Sequence, residues 1–141
     1  MKIRHIILAF IAIIVPPGFG WQAEELDYDD FFYAIAEVES GHDDTAVGDG
    51  GASIGRFQIQ FAYWKDAHDH NPFIQGKYRD VVDPVYARKV MTAYFSRYAP
   101  QAWADKDWQT LARIHHGGPR GHKKKATEKY WQKVEKALDS L

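Results

Sequence analysis

The chain of 141 residues contains no cysteine, so neither a disulfide nor a thiolate–metal site can stabilise its fold. Hydrophobic residues make up 45% and aromatic residues 15% of the sequence, unlike the composition of a disordered segment. A chain of this length forms one domain, and a domain of roughly 120 residues buries about two thirds of its unfolded surface. We therefore expect one folded domain that is stabilised by side-chain packing alone.

The first twenty residues differ in character from the rest of the chain. Basic residues precede an apolar run from Ile6 to Val15, and Gly18 and Gly20 provide small side chains after it. This order is typical of a secretory signal peptide that is cleaved after Gly20, and the run is shorter than the ~20 residues that span a bilayer. We expect a signal peptide at residues 1–20, a folded domain at residues 21–141, and a secreted or periplasmic protein without stable membrane insertion after cleavage. The alternative is an uncleaved amphipathic anchor.

Charge is distributed unevenly along the chain. Residues 21–83 contain 4 basic and 14 acidic side chains, whereas residues 84–141 contain 12 basic and 5 acidic ones. The densest basic cluster, from Arg120 to Lys125, is compatible with contact with an anionic polymer and equally with a solvated loop. Nucleic acid is not an expected partner, because the chain as a whole is acidic and is expected outside the cytoplasm.

Apolar side chains recur at helical spacing in five segments. These predict helices from about Asp29 to Ser40, over Ala62 to His68, from Pro84 until Pro100 ends the stripe, from Asp107 to Gly117, and from Thr127 to Leu138. Between the first two, the glycine-rich stretch from Asp43 to Gly55 is typical of a loop, and Phe57, Ile59 and Phe61 alternate with polar residues as in a strand. The pattern predicts an α+β domain, mostly α, with about five helices and a small antiparallel sheet.

Glu39 is the most informative polar position. It follows Phe32, Ile35 and Ala36 at the spacing of one helix face, so the helix that buries these residues tends to bury the carboxyl group too. Burial disfavours the charged form, so we expect a raised pKa and a general acid. The alternative is a carboxylate that turns to water or pairs with a base such as Arg113.

A second carboxylate is usually needed when a glycosidic bond is hydrolysed. Asp43, Asp44 and Asp49 are the candidates, and Asp49 is flanked by glycines that allow the backbone to approach a sugar closely. A calcium loop is the competing interpretation, but the bidentate Glu of an EF-hand is missing. The histidines match no zinc spacing, so we expect neither a metal nor a cofactor.

A sugar groove needs aromatic rings for the C–H faces of pyranoses and fixed partners for their hydroxyl groups. Gln58, Tyr63 and Trp64 are the candidates for such a lining. Ser53 and His115 could form a nucleophilic pair only if folding brings them together.

The segments that contain these residues resemble the invertebrate-type lysozymes. The similar segments are Glu39-Ser40-Gly41, Asp49, Ser53, Gly55 to Ile59, Ala62-Tyr63-Trp64, Ala112 to Gly121 and Tyr130 to Val134. They follow the family's order and cover nearly the whole of the chain after residue 30. The chain departs from the family in having no cysteine, in having His116 where Asn is usual, and in a loop after Asp49 that is one residue shorter.

The resemblance implies a lysozyme-like fold with a cleft between the first helix and the sheet. It implies hydrolysis of the β-1,4 bond between N-acetylmuramic acid and N-acetylglucosamine in peptidoglycan glycan strands, by a protein that we expect to be monomeric. Glu39 matches the family's acid and Asp49 its second carboxylate. Ser53 and His115 match positions implicated in the isopeptidase side activity of some members, and His116 falls among the substrate contacts.

The stretch after Glu39 is also similar to the signature of the soluble lytic transglycosylases, which share the lysozyme-like fold. In those enzymes one Glu acts as acid and then as base while the C6 hydroxyl of the sugar attacks, so Asp49 would be dispensable. A non-catalytic wall-binding module is the third hypothesis.

Overall fold

The computed structural model describes residues 25–141, so the predicted signal peptide lies outside the described residues. Within that range the chain forms six α-helices: α1 (Tyr28–Ser40), α2 (Phe61–His70), α3 (Pro84–Tyr98), α4 (Pro100–Ala104), α5 (Trp108–Gly117) and α6 (Glu128–Leu138). No helix in this part of the chain is both long enough and apolar enough to cross a bilayer. The mostly helical α+β prediction is confirmed.

Three two-residue strands form a small antiparallel sheet in the order β1 (Val47–Gly48), β2 (Ser53–Ile54) and β3 (Ile59–Gln60). Two strands therefore lie inside the glycine-rich stretch that was predicted as a loop. Short 3-10 helices fill the remaining connections, at Asp49–Gly51, Tyr78–Val82, Gly121–Lys123 and Lys125–Thr127.

α1 begins and ends where its sequence signals lie. The Asp27 carboxylate accepts hydrogen bonds from the backbone N–H groups of Asp29 and Asp30 at 2.7 and 3.1 Å, and the Asp30 carboxylate accepts one from the Asp27 N–H at 2.8 Å. This reciprocal capping box satisfies backbone donors that would otherwise lack partners. At the other end Gly41 has a φ of 62°, the left-handed conformation that commonly ends a helix.

The helices enclose one apolar core. Its largest fully buried side chains include Phe31, Ile35, Met91, Phe95, Leu111, Ile114 and Val134. Half-buried tryptophans cover its edge, since Trp108 stacks on Phe31 at 5.0 Å between ring centroids and Trp103 stacks on Phe95 at 5.5 Å. Truncation of a buried ring such as that of Phe95 to alanine costs about 3–5 kcal/mol, so these contacts hold α1 against α5 and α3 against α4.

α4 was not predicted. Pro100 was expected to end the preceding helix, and α3 does end at Tyr98, but Pro100 also occupies the first position of α4. A proline is tolerated there because the N–H that it lacks would have no partner inside the helix. The five predicted helices correspond to the other five that the structure describes.

The prediction of a strand from Arg56 to Phe61 is wrong in its extent. Only Ile59 and Gln60 pair with β2, and the four residues before them form a turn in which the Gln58 N–H donates to the Gly55 carbonyl at 3.0 Å. Phe61 is the first residue of α2 and is 54% exposed. The alternation of apolar residues arose from a turn, a strand and a helix start in succession.

Candidate active site

A cleft of about 510 Å³ lies between the end of α1, the sheet, α2 and the end of α5. It brings together seven of the eight residues that the sequence predicts for the site: Glu39, Asp49, Ser53, Gln58, Tyr63, His115 and His116. It is also lined by six residues that were not predicted as site residues: Gln60, Ala62, Asp66, Tyr94, Gly118 and Pro119. The predicted cleft between the first helix and the sheet is therefore present.

Glu39 lies in the last turn of α1 with its side chain only 16% exposed. The Tyr130 hydroxyl donates a hydrogen bond to Oε1 of Glu39 at 2.7 Å, and Nε2 of His115 lies 3.4 Å from the same oxygen. The prediction that the helix would bury this carboxyl group is confirmed. Its partners come from α5 and α6, and not from Arg113, whose guanidinium binds Thr127 and the Lys124 carbonyl.

The pKa of Glu39 departs from the expectation. Burial is the largest single influence and acts to raise this pKa, but the hydrogen bond and charge of His115 and the hydrogen bond of Tyr130 stabilise the carboxylate. Together these contacts outweigh burial, and the pKa is lowered from its ordinary value of 4.5. The prediction of a raised pKa is wrong, because sequence periodicity shows burial but not the hydrogen-bond donors that contact the carboxyl group.

His115 is buried and connects three elements. Its Nε2 lies 3.1 Å from the Phe57 carbonyl oxygen, and because a carbonyl only accepts, this nitrogen carries the proton. Its Nδ1 lies 3.3 Å from the Tyr63 hydroxyl. The imidazole therefore joins the turn before β3 and the first turn of α2 to the side of Glu39.

Asp49 occupies a different environment on the same cleft. It is exposed, and its carboxylate accepts hydrogen bonds from the Ser53 hydroxyl at 2.6 Å and from the Gln60 side-chain amide at 3.3 Å. These bonds, that of Ser53 first, lower the pKa of Asp49 from its ordinary value. Asp49 has a φ of 51° and Gly50 a φ of 66°, so two left-handed residues in succession turn the chain and aim this carboxylate at the cleft.

The other two candidate aspartates have local structural partners. The Asp43 carboxylate accepts hydrogen bonds from the N–H and hydroxyl of Thr45 at 2.8 and 2.7 Å, and Asp44 forms an ion pair with Arg56. Neither lines the cleft. Within residues 25–141 no three His, Asp or Glu side chains are grouped as a metal-binding cluster.

Ser53 and His115 both line the cleft but are engaged separately. The Ser53 hydroxyl donates to Asp49, while both ring nitrogens of His115 have partners of their own. No hydrogen bond joins the two side chains in the described part of the chain. The Gln58 amide donates to the Gly55 carbonyl at 2.9 Å, so it also stabilises the turn before β3.

Trp64 is the predicted site residue that lies outside the cleft. Its indole N–H donates to the Tyr86 hydroxyl at 2.9 Å, and the His68 ring contacts the same hydroxyl at 2.9 Å. The ring packs against the connection between α2 and α3, since it lies 6.2 Å from the Tyr78 ring between centroids. Consecutive residues of a helix point about 100° apart, so the Trp64 ring does not follow that of Tyr63 into the cleft.

Tyr130 contacts Glu39 but was not predicted as a site residue. It lies on the buried side of α6 and is 7% exposed. The His116 ring stacks on it at 4.1 Å between centroids with an angle of 7°. Burial, above all, lowers the pKa of His116, so a neutral imidazole covers the Tyr130 ring at the edge of the cleft.

The comparisons with known proteins agree with this architecture. The Destabilase family model matches residues 29–137. A lysozyme from Magallana gigas is 34% identical over 82 residues, which are 58% of each protein. Lysozyme 1 from Crassostrea virginica is 33% identical over 84 residues, 59% of this chain and 44% of that protein. The chain therefore spans only about half the length of these two relatives.

Other relatives are matched over more of their length. Invertebrate-type lysozyme 6 from Caenorhabditis elegans is 32% identical over 60% of this chain and 67% of that protein. Among solved structures, Meretrix lusoria lysozyme in complex with Aeromonas hydrophila PliI has a TM-score of 0.63 at 32% identity, and Tapes japonica lysozyme has 0.64 at 28%. Each match covers 76% of this chain and 87% of the other. The chain belongs to the Destabilase family, that of the invertebrate-type lysozymes.

Proposed function

We propose that this protein is a lysozyme, an N-acetylmuramidase that hydrolyses the β-1,4 bond between N-acetylmuramic acid and N-acetylglucosamine in peptidoglycan. One observation carries the proposal: two carboxyl groups in contrasting environments, Glu39 buried and Asp49 exposed, line the same cleft. Two carboxyl groups with different surroundings can divide the roles of acid and of nucleophile or stabiliser. The lysozymes among the relatives and structural neighbours support the same chemistry.

In the proposed reaction, Glu39 gives its proton to the glycosidic oxygen as the bond from that oxygen to the anomeric carbon breaks. The leaving sugar departs with a new hydroxyl group, and positive charge develops on the ring that remains. Asp49 stabilises or captures that cation. Water then attacks the anomeric carbon and returns a proton to the Glu39 carboxylate, so the enzyme ends in its starting state.

We expect the bound substrate to change the protonation of Glu39. In the free protein, His115 and Tyr130 favour the ionised form of this carboxyl group. A glycan that fills the cleft displaces water from around this carboxyl group, and further desolvation favours the protonated acid. We therefore place the proton donor in the enzyme–substrate complex, and we expect the group's pKa to be higher there than in the free protein.

The test is a digest of purified peptidoglycan by wild type, Glu39→Gln and Asp49→Asn, with reducing ends counted and products identified by mass spectrometry. We expect wild type to release reducing muramic acid ends and Glu39→Gln to lower kcat by about 10²–10⁴, the usual contribution of a general acid. Products with only 1,6-anhydro ends would instead indicate a lytic transglycosylase. Binding without any product would indicate a wall-binding module.

We infer further that the protein acts outside the cytoplasm after cleavage behind Gly20, with residues 21–141 as the catalytic domain and as a monomer. The support is the basic, apolar and small-residue order of the first twenty residues. Expression of the full chain in a bacterium and N-terminal sequencing of the exported product test this, and a mature protein that still begins at Met1 would contradict it.

A further inference from the structure

One wall of the cleft continues into a strongly basic segment. Gly118 and Pro119 line the cleft just after α5, and residues 118–141 contain seven basic and three acidic side chains. All seven basic residues are exposed, and six of them make no side-chain hydrogen bond or ion pair within the described residues: Arg120, Lys123, Lys125, Lys129, Lys133 and Lys136. We call these six residues the basic surface.

Three of the lysines are aligned by helical spacing. Lys129, Lys133 and Lys136 on α6 are four and three residues apart, so they follow one side of the helix, and Lys125 precedes them in the 3-10 helix Lys125–Thr127. At 1.5 Å per residue the row on α6 is about 10 Å long. The helix that carries this row meets the cleft, since the ring of His116, which lines the cleft, stacks on Tyr130 of α6 at 4.1 Å between centroids.

The charges on the basic surface are not neutralised within the fold. In the described part of the chain no ion pair involves any of the six residues, whereas Lys65 pairs with Asp69 and Lys106 with Glu25. Lys124 is not part of the basic surface, because its ammonium group donates a hydrogen bond to the Gly117 carbonyl at 2.6 Å.

Four acidic residues lie in or beside this surface. Glu128, Glu135 and Asp139 belong to the same segment. Glu37 of α1 lies in the same shallow hollow as Lys133 and Lys136, and its carboxylate is 3.2 Å from Nε2 of His42. A row of exposed like charges costs stability through mutual repulsion, and a bound polyanion removes that cost.

We propose that the basic surface binds the phosphodiester polymer that many bacterial walls carry beside their glycan, and so holds the cleft against its substrate. This inference rests on the proposed function. The polymer fits because it carries a negative charge in every repeat, which matches a continuous row of cations. Peptide stems fit less well, since they present amino groups as well as carboxylates.

The experiment measures sedimentation of the inactive Glu39→Gln protein with walls that either retain their phosphodiester polymer or have lost it to hydrofluoric acid. We expect tight binding only to the polymer-bearing walls, weakening as salt rises because exposed charges are screened. Adding Lys125→Glu and Lys129→Glu should weaken this binding about tenfold. The matched control is Lys77→Glu with Lys89→Glu. It changes the net charge by the same amount at two exposed residues that do not belong to the basic surface, and it should change binding less than twofold.

Three results would overturn the inference: equal binding to both wall preparations, an equal loss in the control variant, or equally tight binding to double-stranded DNA. Both double variants are compared at the same helix content by circular dichroism, so misfolding is not mistaken for lost contacts. Failure of the proposed function is read separately, as the absence of reducing-end release by wild type from the stripped walls.

Discussion

The hydroxyl of Tyr130 on α6 donates a hydrogen bond of 2.7 Å to Oε1 of Glu39 at the end of α1, 91 residues away in sequence. The contact stabilises the ionised carboxylate and lies beside the ring of His116. It makes the protonation of the proposed acid depend on a side chain that sequence periodicity assigns to the core.

Removal of this hydroxyl should move the pH dependence of activity. In Tyr130→Phe the carboxylate loses a donor, so the pKa of Glu39 rises and the acid stays protonated to higher pH. The alkaline limb of kcat/KM, which reports the free enzyme, should therefore move to higher pH. Tyr28→Phe is the control, because it loses a hydrogen bond to the Trp103 carbonyl away from the cleft. An alkaline limb that stays in place in Tyr130→Phe would contradict the assignment.

The acidic limb should respond to Ser53. The Ser53 hydroxyl is the main cause of the lowered pKa of Asp49, so Ser53→Ala should raise this pKa and cause Asp49 to be protonated at higher pH. The acidic limb of kcat/KM should move upward while the alkaline limb stays. Ser96→Ala, which removes a hydroxyl bonded to the Thr92 carbonyl on α3, should move neither limb. A shift of both limbs by Ser53→Ala would show that the two carboxyl groups do not titrate as separate acid and base.

The contribution of Glu39 to the free energy of unfolding should decrease as the pH falls. Its pKa in the folded protein is below 4.5, so the ionised group stabilises the fold at pH values above the unfolded pKa. That contribution is lost as the pH falls through the lower folded value. The difference in unfolding free energy between wild type and Glu39→Gln, measured by urea denaturation, should therefore shrink on acidification below about pH 4.5. A difference that grows on acidification would mean that burial dominates after all.

Two glycines of the hairpin region should differ in their tolerance of a side chain. Gly55 has a φ of 76°, and a Cβ there would lie 2.7 Å from the Val81 carbonyl oxygen; Gly50 has a φ of 66° and nothing within 4 Å. Gly50→Ala should cost about 1–2 kcal/mol for the left-handed backbone alone. Gly55→Ala should cost more, because the backbone of residue 81 must also move. Thermal and urea denaturation measure both, and equal losses would show that the contact with Val81 relaxes freely.

Local signals explain which parts of the fold could be predicted. The apolar stripe from Phe32 and the glycine at position 41 act locally on α1, so the helix and the burial of Glu39 followed from them, whereas the cap at Asp27 was not predicted. The small antiparallel sheet was also predicted, but β1 and β2 were not located, because strands of two residues are too short to show a period of two. α4 was missed because Pro100 is compatible both with ending one helix and with starting the next.

The sequence predicted which residues form the site, but it did not predict the direction of the pKa shift of Glu39. Motif resemblance brought Glu39, Asp49 and the histidines of α5 into one cleft, as the structure shows. The direction of the Glu39 pKa depends on where the Tyr130 hydroxyl and the His115 ring lie relative to one oxygen atom. Those distances arise from the packing of α1, α5 and α6, which no local pattern encodes.

The interior that supports this cleft consists of stacked rings and aliphatic side chains without any sulfur–sulfur bond. A reducing agent therefore finds no disulfide bond to cleave, and an oxidant finds no thiol that could form a non-native disulfide. The geometry around Glu39 should be the same in reducing and in oxidising surroundings. A change in redox potential therefore cannot activate or inactivate this protein by forming or cleaving a disulfide bond.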